Sequence, residues 1–168
     1  MLFKLTKKGN PSFSRMDPIL GELFLAAALD PWERYPEAGA RLLPLPGEDE
    51  GLRLDWQDHV QPELRRHFDH ERSLVAHDLR FGMIKGRGKT DVYSLEIPIE
   101  HVDAWLTTLN ALRLALVEGH GFTEADLLRK TLPDLSSERG LALMQMNFYA
   151  FIQECLLQAM EGLAEENG

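Results

Sequence analysis

The chain has 168 residues, of which 44% are hydrophobic and 27% charged, and this composition is typical of a globular protein that buries a core without a metal or disulfide. Its 27 acidic residues outnumber 18 basic ones and give a formal net charge of −9, which disfavours a general nucleic-acid binder and docking on anionic lipid. A single cysteine excludes an internal disulfide and a cysteine-rich zinc module.

The chain carries no pattern of export or membrane insertion. The N-terminus has basic residues but lacks the apolar run of roughly 7–15 residues that defines a signal peptide. The longest uncharged stretch, residues 140–153, includes Gln145 and Asn147 and is shorter than the ~20 apolar residues of a membrane span. We therefore expect a cytoplasmic protein that does not cross a membrane.

The first 16 residues are basic and contain no acid, and their charge comes from Lys4, Lys7, Lys8 and Arg15. Apolar and polar residues alternate over 2–6, and we predict that residues 1–16 form a basic N-terminal strand or arm. Asp17 and Pro18 then predict the N-cap and first turn of a helix that ends near residue 29. This helix is apolar almost all round, which is typical of a central or interface helix.

Residues 30–54 predict a Pro-rich connecting loop, because prolines interrupt any regular helix or strand in this region. A short separate turn is predicted at 55–60, and a second helix begins near Pro62 and ends near Phe81.

Period-two alternation over 93–99 predicts a strand. Residues 83–85 are its predicted hairpin partner, and residues 2–6 are a further candidate neighbour. A third helix is predicted over 100–118, ended by two glycines, Gly119 and Gly121. A short fourth helix and a long last helix, the latter to about residue 163, follow. The sequence thus predicts a mainly α fold, a single-domain helical bundle of about five helices over 1–168, with a small β-hairpin or short antiparallel sheet.

Two predicted helices carry charges where core residues are expected. At about 100° per residue, Glu71 and Asp78 fall on the apolar face of the second helix. On the third helix, Arg113 lies in the middle of the apolar stripe and Asn110 at its edge. A lone buried charge is costly, so we predict that Arg113 pairs with Glu71, Asp78 or both. The alternative is a ligand site in which these groups await a partner.

Histidines cluster on the second helix, where His67, His70, His77 and Asp78 could supply metal ligands from adjacent turns. The His77-Asp78 pair is similar to that of the HD-type metal phosphohydrolases, which are also helical. The helical wheel directs His70 and His77 away from the core face, however, and His67 and Asp78 towards it. Solvent-facing histidines are therefore the simpler interpretation, and a metal-dependent, HD-like hydrolase using the His, Asp and Glu residues of this helix is the alternative function.

A glycine-rich stretch, Gly86-Arg87-Gly88-Lys89-Thr90, contains the G-K-T ending of a P-loop. The position that should hold the first P-loop glycine is Met83, and a strand rather than a helix follows. We interpret this stretch as a basic hairpin tip.

The stretch VDAWLTTLNALRLALV at residues 102–117 resembles the W-L-x-x-L-N-x-L-R-L-x-L signature of a bacterial family. This family is catalogued as domain of unknown function number two thousand and seventeen and is best known from actinobacteria. The segments Arg41-Leu42-Leu43-Pro44 and Pro62-Glu63-Leu64 are also similar. The family has no established activity, so the resemblance implies no catalytic residues. Its genes often lie beside the gene for the adaptor that delivers substrates to the Clp protease, which implies a regulatory or protein-quality-control setting.

The leading functional hypothesis is a non-enzymatic protein without a cofactor that binds another protein, or itself as a homodimer, and binds neither nucleic acid nor membrane. The sequence indicates neither a nucleophile–base set nor the spacing of a metal-ligand set. One side of the last helix presents Leu143, Met146 and Ala150, which we expect at the surface as part of such an interface.

Overall fold

The computed structural model describes residues 1–35, 43, 45–47, 49–86, 92–127 and 133–166. Within them the protein is mainly helical with a small four-stranded antiparallel sheet, so the predicted fold class is confirmed. The single-domain organisation of residues 1–168 stays a prediction.

Two hairpins form the sheet. Strands β1 (Leu2–Leu5) and β2 (Pro11–Met16) make the N-terminal hairpin, and β3 (Met83–Lys85) and β4 (Tyr93–Glu96) make the second. The order of strands across the sheet is β1-β2-β4-β3, and all pairs are antiparallel. The predicted pairing of 83–85 with the strand from residue 93 is confirmed.

The predicted pairing of residues 2–6 with that later strand is wrong, because β2 lies between them. Phe13 of β2 is opposite Leu95 of β4, and both side chains are buried. The register shifts between Phe13 and Met16, where Arg15 has a positive φ of 54°. This bulge breaks the alternation of apolar residues, which explains why the sequence did not indicate β2.

The first helix, α1 (Pro18–Leu25), begins as predicted, since the Asp17 side chain accepts a hydrogen bond from the Leu20 backbone N–H. A 3₁₀ turn, Ala26–Ala28, follows it. Although α1 is apolar almost all round, it is not central, since Ile19 is 63% exposed and only Gly21 and Phe24 are buried.

The prediction that residues 30–54 contain no helix is wrong at both ends. Helix α2 (Pro31–Arg34) begins with a proline, and helix α3 (Glu50–Asp55) is capped by the Asp49 side chain. Proline is tolerated in a first helical turn, where its missing N–H has no intrahelical partner, so Pro31 begins a helix rather than excluding one. Residues 36–42, 44 and 48 lie outside the described residues.

The predicted turn at 55–60 is a π-helical segment, Trp56–Val60, that joins α3 to α4 (Gln61–Gly82) without a break. The Gln61 N–H donates to the Trp56 carbonyl, five residues back. Pro62 cannot donate to the preceding turn, and a wider turn at this point accommodates its ring. The second predicted helix is therefore confirmed over its main length.

The remaining helices are α5 (Val102–His120), α6 (Glu124–Leu127) and α7 (Glu138–Glu166), and a 3₁₀ turn, Ile99–His101, precedes α5. Helix α5 ends at Gly121, whose φ of 57° is left-handed and suits glycine. Its backbone packs against α4 on one side and α7 on the other. The side chain of Trp105 lies at the centre of the core, where its ring packs near that of Phe24, and Phe24 in turn packs edge-on against Phe148.

Tyr149 of α7 is a buried phenol with a pH-dependent contribution to stability. Its hydroxyl donates to the Leu23 carbonyl and accepts from Gln145 Nε2, and burial raises its pKa to about 12. The unfolded chain ionises this phenol near pH 10, so its contribution to stability is complete below pH 10 and is lost as the pH rises towards 12. Between about pH 9 and 12 we expect the wild type to lose about 2 kcal/mol more than Tyr149→Phe in urea denaturation. Equal losses would contradict this prediction.

Candidate functional site

Asp78 of α4 is a carboxylate inside the core, with only 4% of its surface exposed. Its Oδ2 accepts a hydrogen bond from Trp105 Nε1 at 2.9 Å, and its Oδ1 accepts one from His101 Nδ1 at 2.9 Å. We name these three residues the Asp78 cluster. The exposed His77 side chain lies at its margin, with Nδ1 3.7 Å from Asp78 Oδ1.

The local structure explains why two donors meet one carboxylate. His101 ends the 3₁₀ turn and Trp105 lies four residues later, so that the two side chains project from the same side of one helical turn. Asp78 faces them from the last turns of α4, on the apolar face where the sequence predicted it. The cluster therefore ties α4 to the beginning of α5.

The tautomer of His101 follows from the acceptor that its Nδ1 contacts. An ionised carboxylate only accepts hydrogen bonds, so His101 Nδ1 carries a proton and the lone pair of the neutral ring is on Nε2. An imidazole held in this way presents Nε2 as a possible metal ligand. Within the described part of the chain, however, no group of three His, Cys, Asp or Glu side chains converges to hold a metal ion.

The predicted pairing of Arg113 with Asp78 or Glu71 is wrong. Arg113 Nη1 donates to Gln153 Oε1 of α7 at 2.6 Å, and Glu71 Oε1 lies 3.6 Å from His67 Nδ1. Arg113 lies eight residues after Trp105, which rotates it roughly 80° around α5. This rotation directs Arg113 towards α7, whereas Trp105 reaches α4.

The predicted metal ligands do not come together. The His67 and His77 side chains are 59% and 61% exposed, and His70 is exposed as well. The rings of His77 and Phe81 pack with their centroids 4.7 Å apart. Of the four predicted ligands, only Asp78 is buried. The HD-like alternative therefore has no ligand set among the residues that the structure describes.

The P-loop-like stretch is only partly covered, since residues 87–91 lie outside the described residues. Its flanks are the paired strands β3 and β4, and the Gly86 N–H donates to the Val92 carbonyl at 2.7 Å. The expectation that a strand follows this stretch is confirmed, so the helix N-terminus that a P-loop needs does not follow it.

A second candidate site lies between α5 and α7. Gln153 connects the two helices, since it accepts from Arg113 and donates from Nε2 to the Leu106 carbonyl at 3.2 Å. Helical spacing places further residues on the same side as these three. We name the set the Arg113 face: Leu106, Asn110, Arg113 and Val117 of α5 and Gln153, Leu157 and Met160 of α7.

Arg113 is a half-buried cation with an incomplete set of hydrogen bonds. Its buried Nε has no hydrogen-bond partner, and it forms no ion pair with a carboxylate of the described residues. Burial lowers the pKa of its guanidinium, since desolvation disfavours the charged form. Asn110, one turn earlier, is exposed. The sequence predicted that Arg113 and Asn110 interrupt the apolar stripe of this helix, but it did not predict that Gln153 contacts Arg113.

The exposed apolar residues on this side of α7 differ from those that the sequence predicted. Met146 is 4% exposed and belongs to the core, so its predicted surface position is wrong, and Leu143 and Ala150 are half-buried. The exposed apolar residues on this side are instead Leu157 and Met160, at 46% and 39% exposure.

The comparison with protein families agrees with the sequence resemblance. Residues 20–160 match the model of DUF2017, a domain of unknown function, and the chain belongs to this family. No curated protein and no solved structure matches the chain. Among the described helices, none is both long enough and apolar enough to span a membrane.

Proposed function

We propose that this DUF2017 chain is a non-enzymatic protein-binding module whose Arg113 face takes an acidic segment of a partner protein. The observation that carries the proposal is the half-buried guanidinium of Arg113, which has no carboxylate partner among the described residues. The cytoplasmic location and the setting in protein quality control stay predictions.

The charge of Arg113 favours a carboxylate as its partner. Removing a guanidinium from water is unfavourable unless a carboxylate or several acceptors replace its hydration. Gln153 satisfies only one N–H of Arg113 in a side-chain hydrogen bond, and a guanidinium has five. A partner carboxylate would complete this set with a charge-assisted hydrogen bond, which is stronger than the neutral one.

The surroundings of Arg113 fit a protein ligand. Exposed Leu157 and Met160 supply apolar contact on the same side of α7 as Gln153. Arginine and methionine are enriched at protein interfaces, and a central arginine surrounded by apolar side chains is a frequent hot spot. Two exposed apolar residues are few for a stable dimer, which buries roughly 800 Å² per partner, so we favour a short partner segment over a second copy.

The test compares two blocked amphipathic helical peptides that differ only in having Glu or Gln at the polar positions. We expect the Glu peptide to bind the full chain about tenfold more tightly by isothermal titration calorimetry, and Arg113→Met to remove this difference. Met is chosen because it keeps the apolar stem of the side chain. Equal affinity of wild type and Arg113→Met for the Glu peptide contradicts the proposal.

The same variant provides its own folding control. Because Arg113 pairs with no carboxylate of the described residues, Arg113→Met should change the free energy of unfolding by less than about 1 kcal/mol in either direction. A dimer in light scattering that Arg113→Glu dissociates would assign the face to a second copy instead and overturn the choice of partner.

A further inference from the structure

The outer edge of β1 is a second candidate surface, and it contains no residue of the Arg113 face. β1 is the first strand in the order β1-β2-β4-β3, and its ladder partner is β2. Among the described strands, none pairs with β1 on its outer side, and the side chains of Leu2, Lys4 and Leu5 are exposed, with Leu2 at 50% and Leu5 at 40%.

The turn of the hairpin shows which backbone groups face outward. The Thr6 N–H donates to the Asn10 carbonyl at 2.9 Å, so Thr6 and Asn10 are the hydrogen-bonded pair nearest the turn. Such pairs alternate along an antiparallel ladder, so Leu2 and Lys4 direct their backbone groups to β2. The backbone N–H and C=O groups of Phe3 and Leu5 consequently point to the free edge.

The other side of β2 supports the same assignment. The Pro11 carbonyl, opposite Leu5 in the register, accepts from the Ile97 N–H at 2.9 Å and therefore points towards β4. Its direction away from β1 requires Leu5 to direct its own backbone groups outward. Two residues of β1 thus offer two donors and two acceptors to an added strand.

The charge of this region selects the kind of strand. The first 16 residues contain four basic side chains and no acid, although the whole chain has a net charge of −9. One of these, Lys4, lies on β1 itself, and Lys7 and Lys8 lie in the adjacent turn, where Gly9 adopts a φ of 81°. An acidic strand is therefore attracted, whereas a second copy would bring Lys4 side chains of the same charge together.

We propose that the free edge of β1 binds an extended, acidic segment of a partner protein by adding a strand to the sheet. The outward backbone groups of Phe3 and Leu5 supply the hydrogen bonds, and the lysines supply the preference for acidic side chains. This is strand addition, a common mode of peptide recognition in which main-chain bonds give affinity and side chains give specificity.

The experiment uses two blocked eight-residue peptides, one alternating Val with Glu and the other alternating Val with Gln. In NMR titrations of the full chain, we expect the Glu peptide to bind about tenfold more tightly and to shift the amide signals of Phe3 and Leu5. Binding should weaken as salt is raised, because the contacts with lysine are at the surface. Equal binding of both peptides, or shifts confined to the Arg113 face, overturns the proposal.

Two variants and a matched control complete the design. Leu5→Pro removes the outward N–H but no bond to β2 and should weaken binding about tenfold, whereas Leu5→Val should bind like wild type. Lys4→Glu, which keeps every backbone donor, should weaken it as well. Arg113→Met should bind this peptide normally, so failure of either proposal is distinguishable from failure of the other. A dimer that Leu5→Pro dissociates would overturn the proposal in favour of a second copy.

Discussion

Replacing Asp78 by alanine is expected to lower the free energy of unfolding by about 3 kcal/mol. The carboxylate is 4% exposed and accepts hydrogen bonds from Trp105 Nε1 and His101 Nδ1, each at 2.9 Å. Alanine leaves the indole N–H in the core without an acceptor, and an unpaired buried donor is more unfavourable than the loss of one exposed hydrogen bond. Urea denaturation of the purified chain measures the difference.

Asp69→Ala is the matched control, because Asp69 is a carboxylate on the same helix with a side chain that is 44% exposed. It lies near Arg72 at the surface, where an ion pair contributes less than about 1 kcal/mol. Both substitutions change helix propensity equally, so their difference isolates the buried contacts. Similar losses in the two variants would show that the Asp78 cluster does not stabilise the fold.

Asp78→Asn separates charge from shape within the same cluster. Asparagine retains one side-chain oxygen that can accept from Trp105 or His101, so the loss should be smaller than with alanine. An equal loss in both variants would assign the stabilisation to the negative charge of Asp78 rather than to its acceptor geometry.

Local signals explain the parts of the fold that the sequence predicted. The cap at Asp17 and the left-handed glycine at Gly121 act within a few residues, and the apolar periodicity of α4 reports on its own buried face. The strand β2 was missed because the bulge at Arg15 interrupts its alternation. The order of strands depends on contacts between distant segments, and no local signal encodes it.

At the candidate site, too, the sequence predicts the direction of a side chain on its own helix but not the residues of other elements that it contacts. The helical wheel placed Asp78 on the buried face of α4 correctly, because that direction depends on α4 alone. It does not show which side chains of α5 and of the preceding 3₁₀ turn face Asp78, so the sequence predicts Arg113 as the partner instead of Trp105 and His101. One signal was available, since a tryptophan in a core needs an acceptor for its N–H and a carboxylate on the facing helix can supply it.

Trp105→Ala is expected to lower the free energy of unfolding by about 3–5 kcal/mol. The Trp105 side chain is fully buried and its ring lies 6.0 Å from that of Phe24, so alanine leaves a large cavity at the centre of the core. Most of this loss reflects packing, because the indole contributes far more buried area than its single N–H. Denaturation in urea measures it under the same conditions as for the Asp78 variants.

Trp105→Phe separates the hydrogen bond from the packing. Phenylalanine fills much of the same space but cannot donate to Asp78 Oδ2, so we expect a loss of about 2 kcal/mol. In the Asp78→Ala background the same substitution should be less unfavourable by about 1 kcal/mol, because the acceptor is already absent. If Trp105→Phe has the same effect in both backgrounds, the bond between the indole and the carboxylate does not contribute to stability, and the core at Trp105 depends on packing alone.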